Sequence, residues 1–228
     1  MNRRLLLFDI DQTLINTGGV GMRCLWRAVH EVVENPVEPV RVNPDGKTDP
    51  SILAEIVERT GHSLDGLEDE VWARYAQYLA EALTQEDERR GVKPGVPALL
   101  TALSVEPRAC LGLLTGNLER TARIKLGAFE LDHYFPIGAF GSDHADRRCL
   151  GPVALTRARD HFAVPFEPSE VWVIGDTVRD VEAAHAFGAR ALGVATGRVT
   201  LDELTATGAE AVLADLSNTE AVLDLLLS

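Results

Sequence analysis

The chain has 228 residues, 46% hydrophobic and 25% charged, a composition that excludes disorder and leaves room for one or two domains with a substantial core. Its 22 Lys and Arg stand against 35 Asp and Glu, a net charge of −13, which excludes non-specific nucleic-acid binding because that needs a basic surface to displace phosphate counterions. A small anionic ligand is still admitted, since a local site can oppose the field of the whole molecule.

The N-terminal run Leu5-Leu6-Leu7-Phe8 reads as a strand. Asp9 breaks it too early for a signal-peptide core or a membrane span. Between about residues 16 and 90 the pattern is helical, over 20–34, 51–60 and 66–85, with Pro36, Pro39, Pro44 and Pro50 punctuating the first loop. This interval predicts a helical unit inserted after the first strand through two linkers, or alternatively a helical extension packed rigidly on the sheet. From Gly91 onward short apolar runs alternate with helical patterns. Strands are predicted over 110–114, 171–174, 191–194 and, more weakly, 211–213; helices over 95–104, 118–127, 152–163, 179–187 and 218–227. Strands apolar on both faces, alternating with helices, indicate an α/β fold with a doubly wound parallel sheet. The expected domains are a core over 1–15 and 91–228 and a helical domain over 16–90. Three cysteines, Cys24, Cys110 and Cys149, form no CxxC and fit a reducing compartment, so the expected setting is cytoplasmic with no membrane partner. No heptad run or apolar strip indicates an oligomeric state, which is left open.

Chemistry-bearing residues gather at the ends of the predicted strands. The first strand leads into Asp9-Ile10-Asp11-Gln12-Thr13, two carboxylates at i and i+2 on the side where open α/β sheets place ligands. Like charges this close need a cation or a proton between them, and Mg²⁺, which prefers oxygen ligands, suits the pair. The second run ends in Leu114-Thr115-Gly116-Asn117 just before a helix, an arrangement able to hold phosphate through a hydroxyl and free backbone N–H groups. The third ends in Gly175-Asp176-Thr177-Val178-Arg179-Asp180, which puts one carboxylate at the strand end and another a helical turn later. Each motif alone is also ordinary turn and capping chemistry; their combination is far more specific.

These motifs, in this order and spacing, resemble the haloacid dehalogenase superfamily, in its phosphatase branch near the phosphoglycolate phosphatases. Asp9-Ile10-Asp11-Gln12-Thr13-Leu14, Leu114-Thr115-Gly116-Asn117 and the Asp176 segment carry the resemblance, and it extends over essentially the whole chain. It implies a Rossmann-like core, with the helical insert as that family's small cap. It implies Asp9 as nucleophile forming an aspartyl-phosphate, and Asp11 as general acid and base. Mg²⁺ would be held by Asp9, the Asp11 main-chain carbonyl and Asp176, with Asp180 orienting the metal shell. Thr115, Gly116 and Asn117 would hold the phosphoryl oxygens. The implied activity is Mg²⁺-dependent hydrolysis of a small phosphorylated metabolite, phosphoglycolate being one candidate; a phosphomutase of the same fold is the alternative. A non-catalytic phospho-binding regulator, like a receiver domain, is disfavoured by the length, the insert and the intact Asp9/Asp11 pair.

One motif departs from the family pattern. Related enzymes usually carry a lysine just before a proline ahead of the Asp176 strand, whereas this chain reads Arg147-Arg148-Cys149-Leu150-Gly151-Pro152. Only three lysines exist, Lys47, Lys93 and Lys125. Lys125, on the helix after Thr115, is the expected replacement cation, with Arg148 in reserve; a solvated helix lysine is the bland alternative. In Gly46-Lys47-Thr48-Asp49-Pro50, Asp49 is the expected N-cap and Pro50 the first helical residue, and Lys47 is a candidate substrate contact. Asp143-His144-Asp146 is read as a solvated loop rather than a metal site, and Trp26, Trp72 and Trp172 as packing residues.

Overall fold

The computed structural model describes residues 3–33, 38 and 40–228. Strand β1 (Arg4–Phe8) lies at the middle of a six-stranded sheet. Its alternation sends Leu6 and Phe8 to one face and Leu5 and Leu7 to the other, and each pair enters a separate apolar layer. That two-sided burial explains the unbroken apolar run in the sequence.

After β1 the chain forms the two-residue strand β2 (Ile15–Asn16), then helices α1 (Val20–Val32), α2 (Asp49–Thr60) and α3 (Glu68–Leu83), and returns through β3 (Gly91–Val92). β2 and β3 pair antiparallel, so the helical insert enters and leaves at one point. The three helices bury their own cluster, in which Leu25, Val29, Ile52, Ile56, Val71 and Leu79 meet. Trp26 and Trp72 pack against this cluster, and Trp172 is buried in the sheet.

The remaining elements are α4 (Val96–Ser104), β4 (Ala109–Leu114), α5 (Glu119–Gly127), β5 (Ile137–Ala139), α6 (Leu150–Phe162), β6 (Val171–Gly175), α7 (Val178–Ala186), β7 (Arg190–Val194), α8 (Leu201–Thr205), β8 (Ala211–Leu213) and α9 (Thr219–Leu227). The sheet runs β5-β4-β1-β6-β7-β8 with every pairing parallel. α4 and α9 cover one face, α6 and α7 the other. The fold is therefore α/β and doubly wound. The chain moves outward from β1 on one side, then returns and moves outward on the other. This reversal sets the carboxyl ends of β4, β1 and β6 side by side, where a ligand crevice forms.

Several elements differ from the sequence expectation. The helix expected over 20–34 ends at Val32; Glu34, Pro36 and Pro39 lie outside the described residues. β5, α8 and the β2–β3 pair were not expected, because two to five residues are too few to display a period. α2 starts one residue earlier than expected. Thr48 is its N-cap, in reciprocal hydrogen bonds with Ser51, so Asp49 is already helical and its carboxylate is free for another partner. Among the described residues, no helix is long and apolar enough to cross a membrane.

Candidate active site

The three strand ends converge as their geometry requires. Asp9 follows β1, and its backbone N–H donates to the Ile174 carbonyl of β6 at 2.9 Å, so Asp9 and Asp176 leave adjacent strands together. Thr115 follows β4, its N–H bound to the Ala139 carbonyl at 3.0 Å. Asp9, Thr115, Asn117 and Asp176 are all buried, and with Asp11 and Gly116 they line a cavity of about 390 Å³ between the sheet edge and the insert.

Carboxylate oxygens of Asp9, Asp176 and Asp180 lie within 4.8 Å of one another. Burial raises the Asp9 carboxyl to about 6, with Asp180 and Asp11 adding to it against the opposing Arg147 charge. Burial, with Asp180 and Asp9 beside it, raises Asp176 to about 8. Like charges this close favour a nearby cation, and the all-oxygen donor set could hold a hard divalent ion such as Mg²⁺. Thr13 donates to Asp176 Oδ1 at 3.3 Å and the Thr177 hydroxyl to Asp180 Oδ2 at 2.7 Å, fixing both carboxylates.

Asp11 takes a different environment. Lys125 Nζ donates to Asp11 Oδ2 and to Asn117 Oδ1, both at 2.6 Å, and Asn117 Nδ2 donates to Asp11 Oδ2 at 2.8 Å and to Thr115 Oγ1 at 2.9 Å. Burial alone would push the Asp11 carboxyl up, but the Lys125 charge and the hydrogen bonds from Lys125, Asn117 and Thr17 hold it below the ordinary value. Burial would likewise depress the Lys125 ammonium; the Asp11 and Asp49 carboxylates more than offset this and raise it. Lys125 thus lies inside the site, reaching back toward the start of its helix as long side chains do.

Arg148, the reserve cation, lies elsewhere: it is exposed and pairs with Asp146. Its neighbour Arg147, which the sequence reading passed over, is buried. Arg147 Nη2 approaches Asp9 Oδ1 at 2.9 Å, ion-pairs with Asp180, and donates to the Leu114 carbonyl at 3.1 Å. A one-residue step in the 3₁₀ turn Arg147–Cys149 separates the inward arginine from the outward one. The signal was present in the sequence as the first of two arginines at the place of the missing lysine. Asp143 is engaged by Arg157 and the Phe140 N–H, so its carboxylate serves a loop.

The insert descends onto the site through residues 46–49. The Asp49 N–H donates to the Gly116 carbonyl at 2.7 Å. Its carboxylate accepts from the Leu118 N–H at 3.0 Å and the Thr121 hydroxyl at 3.2 Å, which makes it the N-terminal cap of α5. The Thr48 hydroxyl donates to the Ala145 carbonyl at 2.7 Å. A side chain on Gly116 would collide with the Lys47 carbonyl, so only glycine lets the two loops approach this closely. Lys47 itself, at the cavity edge, is ion-paired to Glu55.

A parallel sheet with paired carboxylates after its central strand, a hydroxyl and a buried lysine opposite them, and a helical insert over the cleft defines a hydrolase of the phosphatase type. The model of the haloacid dehalogenase-like hydrolases matches residues 4–188, and the chain belongs to that family. It is 26% identical over 208 residues to phosphoglycolate phosphatase of Haemophilus influenzae, covering 85% of this chain and 86% of the relative. Among solved structures it is similar to a hydrolase from Pseudomonas syringae, with 24% identity, TM-score 0.72 and coverage of 99% and 100% of the two chains. It is also similar to CbbY from Rhodobacter sphaeroides in complex with phosphate, with 17% identity, TM-score 0.73 and coverage of 95% and 96%. These two likenesses show the fold.

Proposed function

We propose that this protein is a Mg²⁺-dependent phosphomonoester hydrolase acting on a small organic phosphate through an aspartyl-phosphate, with residues 16–90 as a cap over the site. The observation that carries the reading is the convergence on one cavity of Asp9, Asp11, Asp176, Thr115 and the buried Lys125, with carboxylate oxygens of Asp9, Asp176 and Asp180 within 4.8 Å of one another and Lys125 Nζ 2.6 Å from Asp11 Oδ2.

In the first step an Asp9 oxygen attacks phosphorus, the ester P–O bond breaks, and the departing oxygen takes a proton from Asp11. A phosphoryl dianion beside Asp11 raises its proton affinity, so the acid form accompanies bound substrate. In the second step Asp11 takes a proton from water, the water oxygen attacks phosphorus, and the bond to Asp9 breaks to release phosphate. Thr115, the Asn117 side chain and the Gly116 N–H, which has no protein acceptor among the described residues, are suited to hold the phosphoryl oxygens. Lys125 keeps Asp11 oriented and offsets phosphoryl charge. Asp9 and Asp176, with the Asp11 main-chain carbonyl, would hold Mg²⁺, and Asp180 would orient that shell through Thr177 and Arg147. The metal, when bound, supplies charge shielding between the phosphoryl oxygens and the carboxylates.

The test is phosphate release from a panel of small phosphomonoesters, including phosphoglycolate, with Mg²⁺ and with EDTA. Release that needs both Mg²⁺ and Asp9 supports the reading. Isomerisation of a sugar phosphate without net release would instead assign a phosphomutase.

A further inference from the structure

Five carboxylates and four cations are among the described residues that line the cavity, and each of the four cations already faces a carboxylate. Lys125 is committed to Asp11 and Arg147 to Asp9 and Asp180. Lys47 is neutralised by Glu55, which sits outside the lining on α2 and also lies 2.6 Å from Arg59. Arg198, from the loop after β7, faces Asp45 of the insert at 3.6 Å. A ligand whose phosphoryl group is held at Thr115 therefore meets no unpaired cation elsewhere among the described lining residues. A second anionic group would be desolvated near Asp45 and Asp49 with nothing to neutralise it. Neutral hydroxyls fare differently, because Asn16, Thr17 and Tyr75 also line the cavity and both donate and accept.

We infer that the substrate is the monophosphate of a neutral polyhydroxylated molecule, a sugar or a polyol, and that Glu55 sets this preference by neutralising Lys47. The inference rests on the phosphomonoesterase reading above. It separates this chain from enzymes that select a phosphorylated carboxylic acid, since discrimination here comes from withholding a cation as much as from supplying hydroxyl partners.

The experiment compares kcat/KM at saturating Mg²⁺ for sorbitol 6-phosphate, ethylene glycol monophosphate and phosphoglycolate, with p-nitrophenyl phosphate as a general ester. Ethylene glycol monophosphate matches phosphoglycolate in carbon count and lacks its carboxylate. The expected result is that both neutral polyol esters exceed phosphoglycolate by at least about tenfold, the scale set by an uncompensated charge in a partly enclosed site. Phosphoglycolate turned over as well as, or better than, the neutral esters overturns the inference and leaves the phosphomonoesterase reading standing. Turnover of none of the four esters overturns that reading, and the inference with it. Glu55→Gln should raise kcat/KM for phosphoglycolate several-fold relative to ethylene glycol monophosphate, by releasing Lys47; an unchanged ratio overturns the role of Glu55. Lys47→Met supplies an independent check. Its ratio of neutral to acidic substrate should match that of the unaltered protein, and a selective loss of phosphoglycolate turnover would show that the Lys47 charge is available after all.

Discussion

Lys125 Nζ lies 2.6 Å from Asp11 Oδ2, a contact spanning 114 residues that ties the helix after the loop 115–117 to the segment after the first strand. Lys125 is almost wholly enclosed, and its charge is what holds the Asp11 carboxyl below the ordinary range against burial. Lys125→Met should therefore lower kcat by about 10²–10⁴, the usual scale of a general acid–base contribution. It should also move the alkaline limb of the pH–rate profile upward, because Asp11, the acid of the first step, then keeps its proton to higher pH. A large fall in kcat with an unmoved alkaline limb would confine Lys125 to phosphate binding.

Asp9→Asn removes one negative charge from a crowded cluster while keeping the side-chain shape. Turnover should fall by at least about a thousandfold, as removal of a covalent nucleophile does. The thermal midpoint should be unchanged or higher. Undiminished phosphate release would remove Asp9 from the reaction.

The proton affinities of Asp9 and Asp176 fix the sign of a metal effect. Both carboxyls are raised from the ordinary 3.8, to about 6 and about 8. A carboxyl that binds its proton more tightly in the folded state stabilises the fold fully below its ordinary value, and that contribution is lost as pH rises through the raised one. The metal-free protein should thus lose stability as pH rises from about 4 to about 8, while Mg²⁺ affinity for the ionised carboxylates grows. Thermal denaturation should show a Mg²⁺-induced rise in Tm that is small at low pH and largest near neutral to mildly alkaline pH. A shift independent of pH would count against these two residues as ligands.

Arg147 is a buried cation whose partners are Asp9, Asp180 and a strand-end carbonyl. Its removal leaves those carboxylates uncompensated, and loss of one member of a buried ion pair costs about 3–5 kcal/mol. Arg147→Met should lower the denaturation midpoint accordingly in metal-free buffer and recover part of the loss in Mg²⁺. Arg147→Lys should retain the charge but not the guanidinium's simultaneous contacts with Asp9, Asp180 and the Leu114 and Gly46 carbonyls, and its midpoint should fall between those of Arg147→Met and the unaltered protein. Equal stability of Arg147→Met and the unaltered protein in chelator would be incompatible with the ion pairs described.

The sheet was legible because its strands are buried on both faces: Leu5–Phe8, Cys110–Leu114 and Val171–Ile174 are apolar runs that no surface strand would carry. β5 was not, since Ile137-Gly138-Ala139 is three residues long and contains a glycine. At the site, the carboxylates declared themselves by position after strands. Arg147 did not, because a search for lysine passes over a guanidinium, and because the inward and outward members of an Arg-Arg pair differ only in their place on one turn. Asp49 was expected to cap its own helix, where Thr48 does so instead, and its carboxylate's place at the start of α5, 69 residues further along the chain, was not legible. Local spacing reveals periodicity and caps; it does not reveal which distant backbone groups are brought to meet a carboxylate.

That cross-chain cap has a mechanical consequence. Asp49 belongs to the insert, yet it terminates the helix that carries Lys125, and its own N–H holds the carbonyl of Gly116. Any hinge motion that lifts residues 46–49 away from the sheet must uncap α5 and untie Gly116 in the same stroke. Separation of residues 46–49 from the sheet and release of the Gly116 loop are thereby coupled into one movement.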